Sequence, residues 1–344
     1  MRTTVNSAQT LYITMGCPAG IGPEILVRLF AGETQWRPDP AWPTVVVGDL
    51  GILQQAAQVT KRQVRPTPWQ PGHNITTGEI PVLQVDSPDL HDLKWGQPTA
   101  ASGRAMARYI EQTVALLGSG QGSALITCPI SKFSLQAAGY PYPGHTEMLA
   151  ALTNTREVHM MMAGPRLKVV LVTIHEALQR VPTLLCAEKI SACIGQTHTT
   201  LQRDFGCATP RIAVVGLNPH GGEQGLFGDE ETRIIQPAVE AAKRALPQAE
   251  LSGPWPPDTV FCQAAQGKFD AVIAMYHDQG LIPFKLLHFA DGVNVTLGLP
   301  IIRTSVDHGT AYDIAGKGLA KADSLAAALV LAQNMAANRM RHEC

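Results

Sequence analysis

Three histidines of the chain each follow a short, strongly apolar segment. They are His175 after KVVLVT, His220 after RIAVVGL and His277 after DAVIAMY. Apolar runs of this length are typical of strands buried on both faces of a parallel sheet, and such sheets bind ligands beyond the carboxyl ends of their strands. Three imidazoles at one sheet edge would suit Zn, Co, Ni or Fe and leave coordination positions open for a substrate oxygen. The alternative is that each histidine is a structural residue or a hydrogen-bond donor at a polar strand end.

A glycine-rich segment, VDHGTAYDIAGKG, occupies residues 306–318. Gly309, Gly316 and Gly318 permit close approach of the backbone to a ligand or a positive φ, and Asp313 could accept hydrogen bonds from a ribose hydroxyl. No cluster of Arg and Lys accompanies the segment to receive a 2′-phosphate, so a nucleotide bound here is expected to be NAD rather than NADP. The segment matches neither G-x-G-x-x-G nor a Walker loop, and a turn-rich connection is the alternative.

Two further segments could bind an anion. MGCPAGIGPEI, residues 15–25, predicts a helix that begins near Pro23, where free backbone N–H groups could hold a phosphate or a carboxylate; a plain strand-to-helix turn is the alternative. In PYPGHTEMLA, residues 141–150, His145 and Thr146 open another predicted helix. Together with Lys285, Asn294 and Arg303 they offer cations and amides suited to a phosphate or carboxylate, although each alone could be an ordinary surface or capping residue.

Apolar runs alternate with helical segments along the chain, which predicts the α/β class with a parallel sheet. The predicted strands lie at 11–15, 44–49, 123–128, 168–173, 211–217 and 270–276, and the clearest helices at 22–30, 99–118, 186–203, 231–245 and 322–340.

Length and composition restrict the possible functions. At 344 residues the chain is expected to form two lobes, and 45% hydrophobic with 16% charged residues is typical of a folded enzyme. A net charge of −1 without a Lys/Arg run disfavours nucleic acid and anionic membranes as partners. The seven scattered cysteines predict reduced thiols, and the lack of a signal peptide or spanning segment predicts a cytoplasmic protein.

Six segments occur in order along nearly the whole chain: MGCPAGIGPEI, TCPISK, GHTEMLA, GLNPHGGEQGLFGDEE, AMYHDQGLIPFK and VTLGLPIIRTSVDHGTAYDIAGKG. They closely resemble the 4-hydroxythreonine-4-phosphate dehydrogenase family of vitamin B6 biosynthesis. The resemblance implies the two-lobed αβα architecture of isocitrate and isopropylmalate dehydrogenases, with the active site in the cleft between the lobes. We expect residues 1–135 and 295–344 to form the first lobe, with the nucleotide-side loop, and residues 136–294 to form the second, with the metal ligands and the dimer interface.

The resemblance also implies ligands and roles. It assigns one divalent cation (Zn, Mg or Co) to His175, His220 and His277, shared across a homodimer with two histidines from one subunit and one from the other. It assigns substrate contacts to His145, Thr146, Lys285, Asn294 and Arg303, and NAD to the loop that contains Gly309, Asp313 and Gly316. Cys17 departs from the family's pattern, in which an acidic residue is usual at this position.

The implied reaction is oxidation of 4-phosphooxy-L-threonine to a β-keto acid that decarboxylates to 3-amino-2-oxopropyl phosphate. Asp258 and Asp278 are candidates for the general base, and either could instead orient a metal-binding histidine. Family members that oxidise erythronate or threonate 4-phosphate, or a cyclic dihydrodiol carboxylate, share these motifs and are the alternative. A non-catalytic metal-dependent binding protein is disfavoured, because it would not need both the histidines and the nucleotide-like loop.

Overall fold

The computed structural model describes residues 7–76, 78–86, 90 and 92–343, so His91 and Cys344 lie outside the described residues. The chain forms two compact units. The first unit comprises Met1–Glu157 and Leu299–Ala336, and the second comprises Val158–Gly298 and Ala337–Cys344. Strands and helices alternate in both, which confirms the α/β class.

The strands of the first unit pair in the order β3-β4-β2-β1-β5-β12, and every neighbouring pair is parallel. The central strands β1, β2, β5 and β12 are buried along their whole length, as expected for a sheet with helices on both faces. The six strands of this unit are β1 Leu11–Thr14, β2 Thr44–Gly48, β3 Arg65–Pro68, β4 Glu79–Gln84, β5 Ala124–Thr127 and β12 Ile302–Ser305.

Three helices of this unit, α2, α3 and α4, begin at a residue whose side chain caps the helix. Asp49 accepts a hydrogen bond from Ile52 N at the start of α2, and Thr99 forms a reciprocal capping box with Ser102 at the start of α3. The helices are α1 Gly22–Phe30, α2 Leu50–Thr60, α3 Ala100–Gly118, α4 Lys132–Ala137, α5 His145–Leu152 and α11 Asp323–Glu343.

The strands of the second unit pair in the order β11-β6-β7-β10-β8-β9. β6 is antiparallel to both of its neighbours, which corrects the prediction of a purely parallel sheet. The reason is the short connection at 164–167, closed by a hydrogen bond from Gly164 N to Leu167 O, because a tight turn can join only antiparallel strands. The bounds are β6 His159–Ala163, β7 Lys168–Leu171, β8 Arg211–Val215, β9 Glu250–Trp255, β10 Ala271–Ala274 and β11 Val293–Leu297.

The predicted helix at 231–245 is divided in the second unit. A π-helical turn, Glu231–Ile235, precedes the α-helix, and Pro237, which has no N–H for the regular bond, lies in the first turn that follows. The helices of the second unit are α6 Val181–Leu184, α7 Ala187–Arg203, α8 Gln236–Ala245, α9 Pro257–Ala265 and α10 His277–His288.

In the part of the chain that the structure describes, no helix is long and apolar enough to cross a membrane. The six described cysteines are free thiols, as predicted.

The units divide after Glu157 and Gly298, which corrects the boundaries predicted after 135 and 294. Residue 135 lies inside α4, which packs closely on α3: a Cβ on Gly103 would lie 1.9 Å from the Ser134 carbonyl oxygen. Residues 295–297 complete β11, which pairs with β6 in the second unit. The last residues also join the second unit, since Arg339 binds the buried Asp204 carboxylate through two nitrogens at 2.8 Å.

Candidate active site

Two of the three strand-end histidines lie together in the second unit. The strands β7, β10 and β8 are adjacent and parallel, so they end at the same edge of the sheet. His175 follows β7, and His277 is the first residue of α10 after β10. Their ring centroids lie 5.8 Å apart, with 39° between the ring planes. This spacing suits two imidazoles that face one small ligand.

His220 lies on a left-handed turn after β8. His220, Glu223 and Gln224 have φ values of 53°, 41° and 60°, with Gly221 and Gly222 between them. A positive φ costs a non-glycine residue on the order of 1–3 kcal/mol, so the surrounding contacts must hold this turn. The His220 side chain is 59% exposed, and its Nδ1 lies 3.9 Å from Asp258 Oδ2, too far for a hydrogen bond.

The two candidate bases differ in their contacts with the histidines. Asp278 Oδ1 lies 2.6 Å from His277 Nδ1. A carboxylate that accepts the Nδ1 proton fixes the tautomer and leaves Nε2 as the ring nitrogen that can bind a cation. Asp258 makes no such bond to its neighbour His220. The geometry therefore favours orientation of a histidine as the role of Asp278.

The described residues fit a divalent cation only in part. Among residues 7–76, 78–86, 90 and 92–343, no group of three His, Cys, Asp or Glu side chains is arranged to hold one metal ion within the chain. The His175–His277 pair nevertheless provides two imidazole donors of the type that borderline divalent metals prefer.

Arg303 forms the centre of a buried polar group in the first unit. It lies on β12, is 3% exposed, and donates a hydrogen bond of 2.9 Å from an Nη to Thr127 Oγ1 on β5. Burial lowers the pKa of Arg303 to about 10, which still leaves the guanidinium charged at neutral pH. A guanidinium binds a phosphate or a carboxylate through charge-assisted hydrogen bonds, so the residue type suits an anionic ligand.

His145, at the start of α5, belongs to the same group. Burial and the nearby charge of Arg303 hold the pKa of His145 well below its usual value, so the imidazole is neutral at neutral pH. Its buried Nε2 has no hydrogen-bond partner among the described residues. His145 is therefore a hydrogen-bonding group here rather than the cation that its residue type suggested, and Thr146 follows it on the same helix.

The other two predicted substrate residues lie in the second unit. Lys285 lies on α10 with its Nζ 5.7 Å from the centroid of the Phe289 ring, and Asn294 lies on β11 opposite Met162. The structure thus divides the predicted substrate residues, with His145, Thr146 and Arg303 in one unit and Lys285 and Asn294 in the other.

The nucleotide-like segment contacts the 15–25 segment. Thr310 O accepts a hydrogen bond of 3.1 Å from the N–H of Ile21, the residue that precedes α1. The fully buried Glu24 accepts hydrogen bonds from Gly316 N at 2.5 Å and Gly318 N at 2.7 Å. Burial raises the pKa of Glu24, and these two hydrogen bonds oppose that effect. A carboxylate on α1 thus holds one end of the 306–318 loop.

The predicted cofactor residues differ in their surroundings. Gly316 has a φ of 77°, and a Cβ there would lie 2.6 Å from Trp95, so both the backbone and the packing require glycine. A Cβ on Gly309 would meet no atom within 4 Å, and Asp313 is exposed. The open part of the loop therefore lies at 309 and 313, while residue 316 anchors it.

Residues 41–332 of the chain match the protein family described as "Pyridoxal phosphate biosynthetic protein PdxA". The chain belongs to the PdxA family. A 4-hydroxythreonine-4-phosphate dehydrogenase from Desulfosudis oleivorans is 52% identical and covers 97% of this chain and 98% of its own length. D-threonate 4-phosphate dehydrogenase from Salmonella typhimurium is 44% identical and covers 95% and 99%. The crystal structure of 4-hydroxythreonine-4-phosphate dehydrogenase from Klebsiella pneumoniae has a TM-score of 0.88 at 43% identity and covers 95% of this chain and 98% of that chain.

The expected family is thereby confirmed, and the similar PdxA-family proteins are dehydrogenases. Their names divide between two phosphorylated substrates, 4-hydroxythreonine 4-phosphate and D-threonate 4-phosphate. The class of enzyme is thus established at the level of an oxidoreductase.

Cys17, the residue expected to depart from the family's pattern, is fully buried. Its Sγ accepts a hydrogen bond of 3.2 Å from the Tyr312 hydroxyl, and burial raises the pKa of the thiol, so it is neutral at neutral pH. Cys17 therefore contacts the 306–318 loop through Tyr312.

Sequence reasoning missed several residues that organise this PdxA-family site. Thr127 binds Arg303 and Glu24 binds the glycine loop, in both cases across more than 170 residues of chain. Both residues lie inside segments that carried the family resemblance, TCPISK and MGCPAGIGPEI. Their partners could not be identified, because no local spacing connects residues so far apart.

Proposed function

We propose that the chain is a metal- and NAD-dependent dehydrogenase that oxidises the secondary hydroxyl of 4-phosphooxy-L-threonine. The product is a β-keto acid, which decarboxylates to 3-amino-2-oxopropyl phosphate in vitamin B6 biosynthesis. The observation that carries the proposal is the 52% identity, over nearly both full lengths, to a relative named for this substrate, against 44% to the D-threonate 4-phosphate dehydrogenase.

The cation would be held by His175, His220 and His277, and a bound Zn, Mg or Co would supply Lewis-acid polarisation of the substrate hydroxyl. Asp278 would orient His277 through Nδ1. Asp258 is then the better candidate for removal of the hydroxyl proton, because its carboxylate is not engaged by the neighbouring histidine.

Substrate recognition is proposed to use charge on the first unit. The buried Arg303 offers a permanent cation, and His145 offers an unsatisfied ring nitrogen beside it, which together suit the phosphate group. Thr146, Lys285 and Asn294 are proposed to complete substrate binding. NAD is proposed to bind at the 306–318 loop, with Asp313 accepting from the ribose and Gly309 allowing close approach.

A homodimer is proposed because one chain provides an incomplete ligand set. His175 and His277 are paired, whereas His220 does not complete a group with them among the described residues. Three apolar side chains are exposed on and just after the helix that begins with His277: Ile282 (67%) and Leu286 (85%) lie on α10, and Phe289 (82%) follows its last residue. An exposed apolar surface of this kind, next to an incomplete set of metal ligands, suits an interface with a second copy of this chain.

Subunit mixing tests the shared site. If His175 and His277 of one subunit act with His220 of the other, mixing inactive His277→Ala and His220→Ala proteins should restore one intact site in each hybrid dimer. Full exchange should then return about a quarter of the parental activity.

The matched control is a mixture of His175→Ala and His277→Ala proteins, which should stay inactive because each chain has lost one member of the pair. Recovery of activity in this control but not in the first mixture would show that His175 and His277 of one site come from different subunits. No recovery in either, despite exchange shown by mass spectrometry, would place each site within one chain.

A substrate panel tests the activity itself. NADH formation at 340 nm is expected to be fastest with 4-phosphooxy-L-threonine, slower with D-threonate and D-erythronate 4-phosphates, and slowest with a cyclic dihydrodiol carboxylate. A specificity constant that is higher for D-threonate 4-phosphate would establish the second candidate, which the 44% identical relative supports. No NAD reduction with any substrate would contradict the proposal.

A further inference from the structure

The backbone ladder between β8 and β10 ends before the histidines begin. The last paired residues are Ile273 and Val214, whereas His277 and His220 lie four and six residues further along the chain. Beyond the ladder another contact must fix the spacing of the two strand ends, because loops without such contacts are mobile.

Gln279, in the first turn of α10, supplies this contact. Its Oε1 accepts a hydrogen bond of 2.7 Å from Met275 N, and its Nε2 donates one of 2.7 Å to Gly216 O. The buried carboxamide has the same donor and acceptor as a peptide group, so it forms the next rung between β10 and β8.

Met275 extends the link to the third histidine segment. Its carbonyl oxygen accepts from Thr173 N at 3.2 Å and from Thr173 Oγ1 at 2.7 Å. Thr173 lies two residues before His175, Met275 two before His277, and Gly216 four before His220. One chain of hydrogen bonds therefore joins the segments that precede all three histidines.

Glu231 holds the far side of the His220 turn. The buried carboxylate accepts from Leu217 N at 2.6 Å and Asn218 N at 2.8 Å through Oε1, and from Asn218 Nδ2 at 2.9 Å through Oε2. A Cβ on Gly222 would lie 2.6 Å from Glu231 Oε2, so the turn lies directly against the carboxylate. These contacts explain how the left-handed conformation at His220 is maintained.

We infer that Gln279 and Glu231 are positioning residues that each orient the histidine segments of their own subunit, an inference that rests on the proposed metal site. Neither residue is a proposed ligand. Gln279 spaces the strand ends, and Glu231 fixes the turn from which His220 extends. Partners that orient metal ligands commonly change metal affinity by about 10- to 100-fold when they are removed.

The test measures metal binding separately from turnover. Gln279→Glu keeps the oxygen that accepts a hydrogen bond from Met275 N and loses the N–H group that donates to Gly216 O. Glu231→Gln replaces a carboxylate that accepts hydrogen bonds from three N–H groups with an amide. In the metal-stripped dimer, competition with a chromophoric chelator should show Co²⁺ binding about 10- to 100-fold weaker in each variant. The visible absorption spectrum of bound Co²⁺ should also change, because it reports ligand geometry.

Asp270→Asn is the matched control. Asp270 binds Arg211 at the opposite ends of the same two strands, through the backbone N at 2.8 Å and two guanidinium nitrogens at 3.1 and 2.8 Å. This variant should lower Tm without changing Co²⁺ affinity or the spectrum. The inference is overturned if the Gln279 and Glu231 variants behave like this control. A parent protein that binds no Co²⁺ would instead overturn the proposed metal site itself.

Discussion

Replacement of His277 with alanine is expected to lower kcat by about a thousandfold or more, because a Lewis-acid cation contributes several kcal/mol to the stabilisation of developing charge. His175→Ala and His220→Ala should have similar effects. Exhaustive chelation of the parent should do the same, and addition of Zn, Co or Mg should restore activity to the parent but not to the variants. The measurement is the initial rate of NADH formation, with metal content determined on the same samples.

The control for this series is His73→Ala, since His73 is exposed and follows no strand that ends with the other histidines. It should keep full activity and metal content. A chelated parent that is free of metal and still fully active would contradict the metal assignment, whatever the alanine variants do. Loss of activity with retained metal in a His→Ala variant would show that the residue has another role.

The strands that carry the histidines could be predicted because their burial dominates the sequence pattern. β7, β8 and β10 lie inside the predicted runs, and residues buried on both faces leave little choice but Val, Ile, Leu and Ala. Adjacency of the strand ends then followed from parallel pairing, and the contact between His175 and His277 confirms it for two of the three.

The conformation of the loops could not be predicted in the same way. His220, Glu223 and Gln224 adopt a positive φ against their own preferences, so the local sequence argued against the left-handed turn that the contacts with Glu231 maintain. The predicted unit boundaries were wrong for a related reason. Helix α4 belongs to the first unit because it packs on α3, and β11 belongs to the second because it pairs with β6, and the local sequence does not reveal these contacts. The lowered pKa of His145 could not be predicted either, because it results from burial and from the nearby charge of Arg303, which is distant in the sequence.

Removal of the Arg303 charge is expected to distinguish phosphorylated from unphosphorylated substrates. A charge-assisted contact contributes roughly 1.5–3 kcal/mol, so Arg303→Ala should lower kcat/KM for the phosphorylated substrate by about one to two orders of magnitude. The effect on the unphosphorylated analogue should be much smaller. Since Arg303 is buried, Arg303→Lys and Thr127→Val are the companion variants. The first keeps the charge, and the second removes the hydroxyl that orients the guanidinium, together with its 3.5 Å hydrogen bond to Thr304 O.

The order of the three variants identifies what Arg303 binds. If it binds phosphate bidentately, Arg303→Lys should lose part of the preference for the phosphorylated substrate, Thr127→Val less, and Arg303→Ala most. The control Arg233→Ala, at a 58% exposed side chain paired with Asp229, should leave the preference unchanged. Equal losses on both substrates would mean that Arg303 binds the carboxylate or positions the reacting carbon. A parent enzyme that prefers unphosphorylated substrates from the outset would contradict the proposed substrate class.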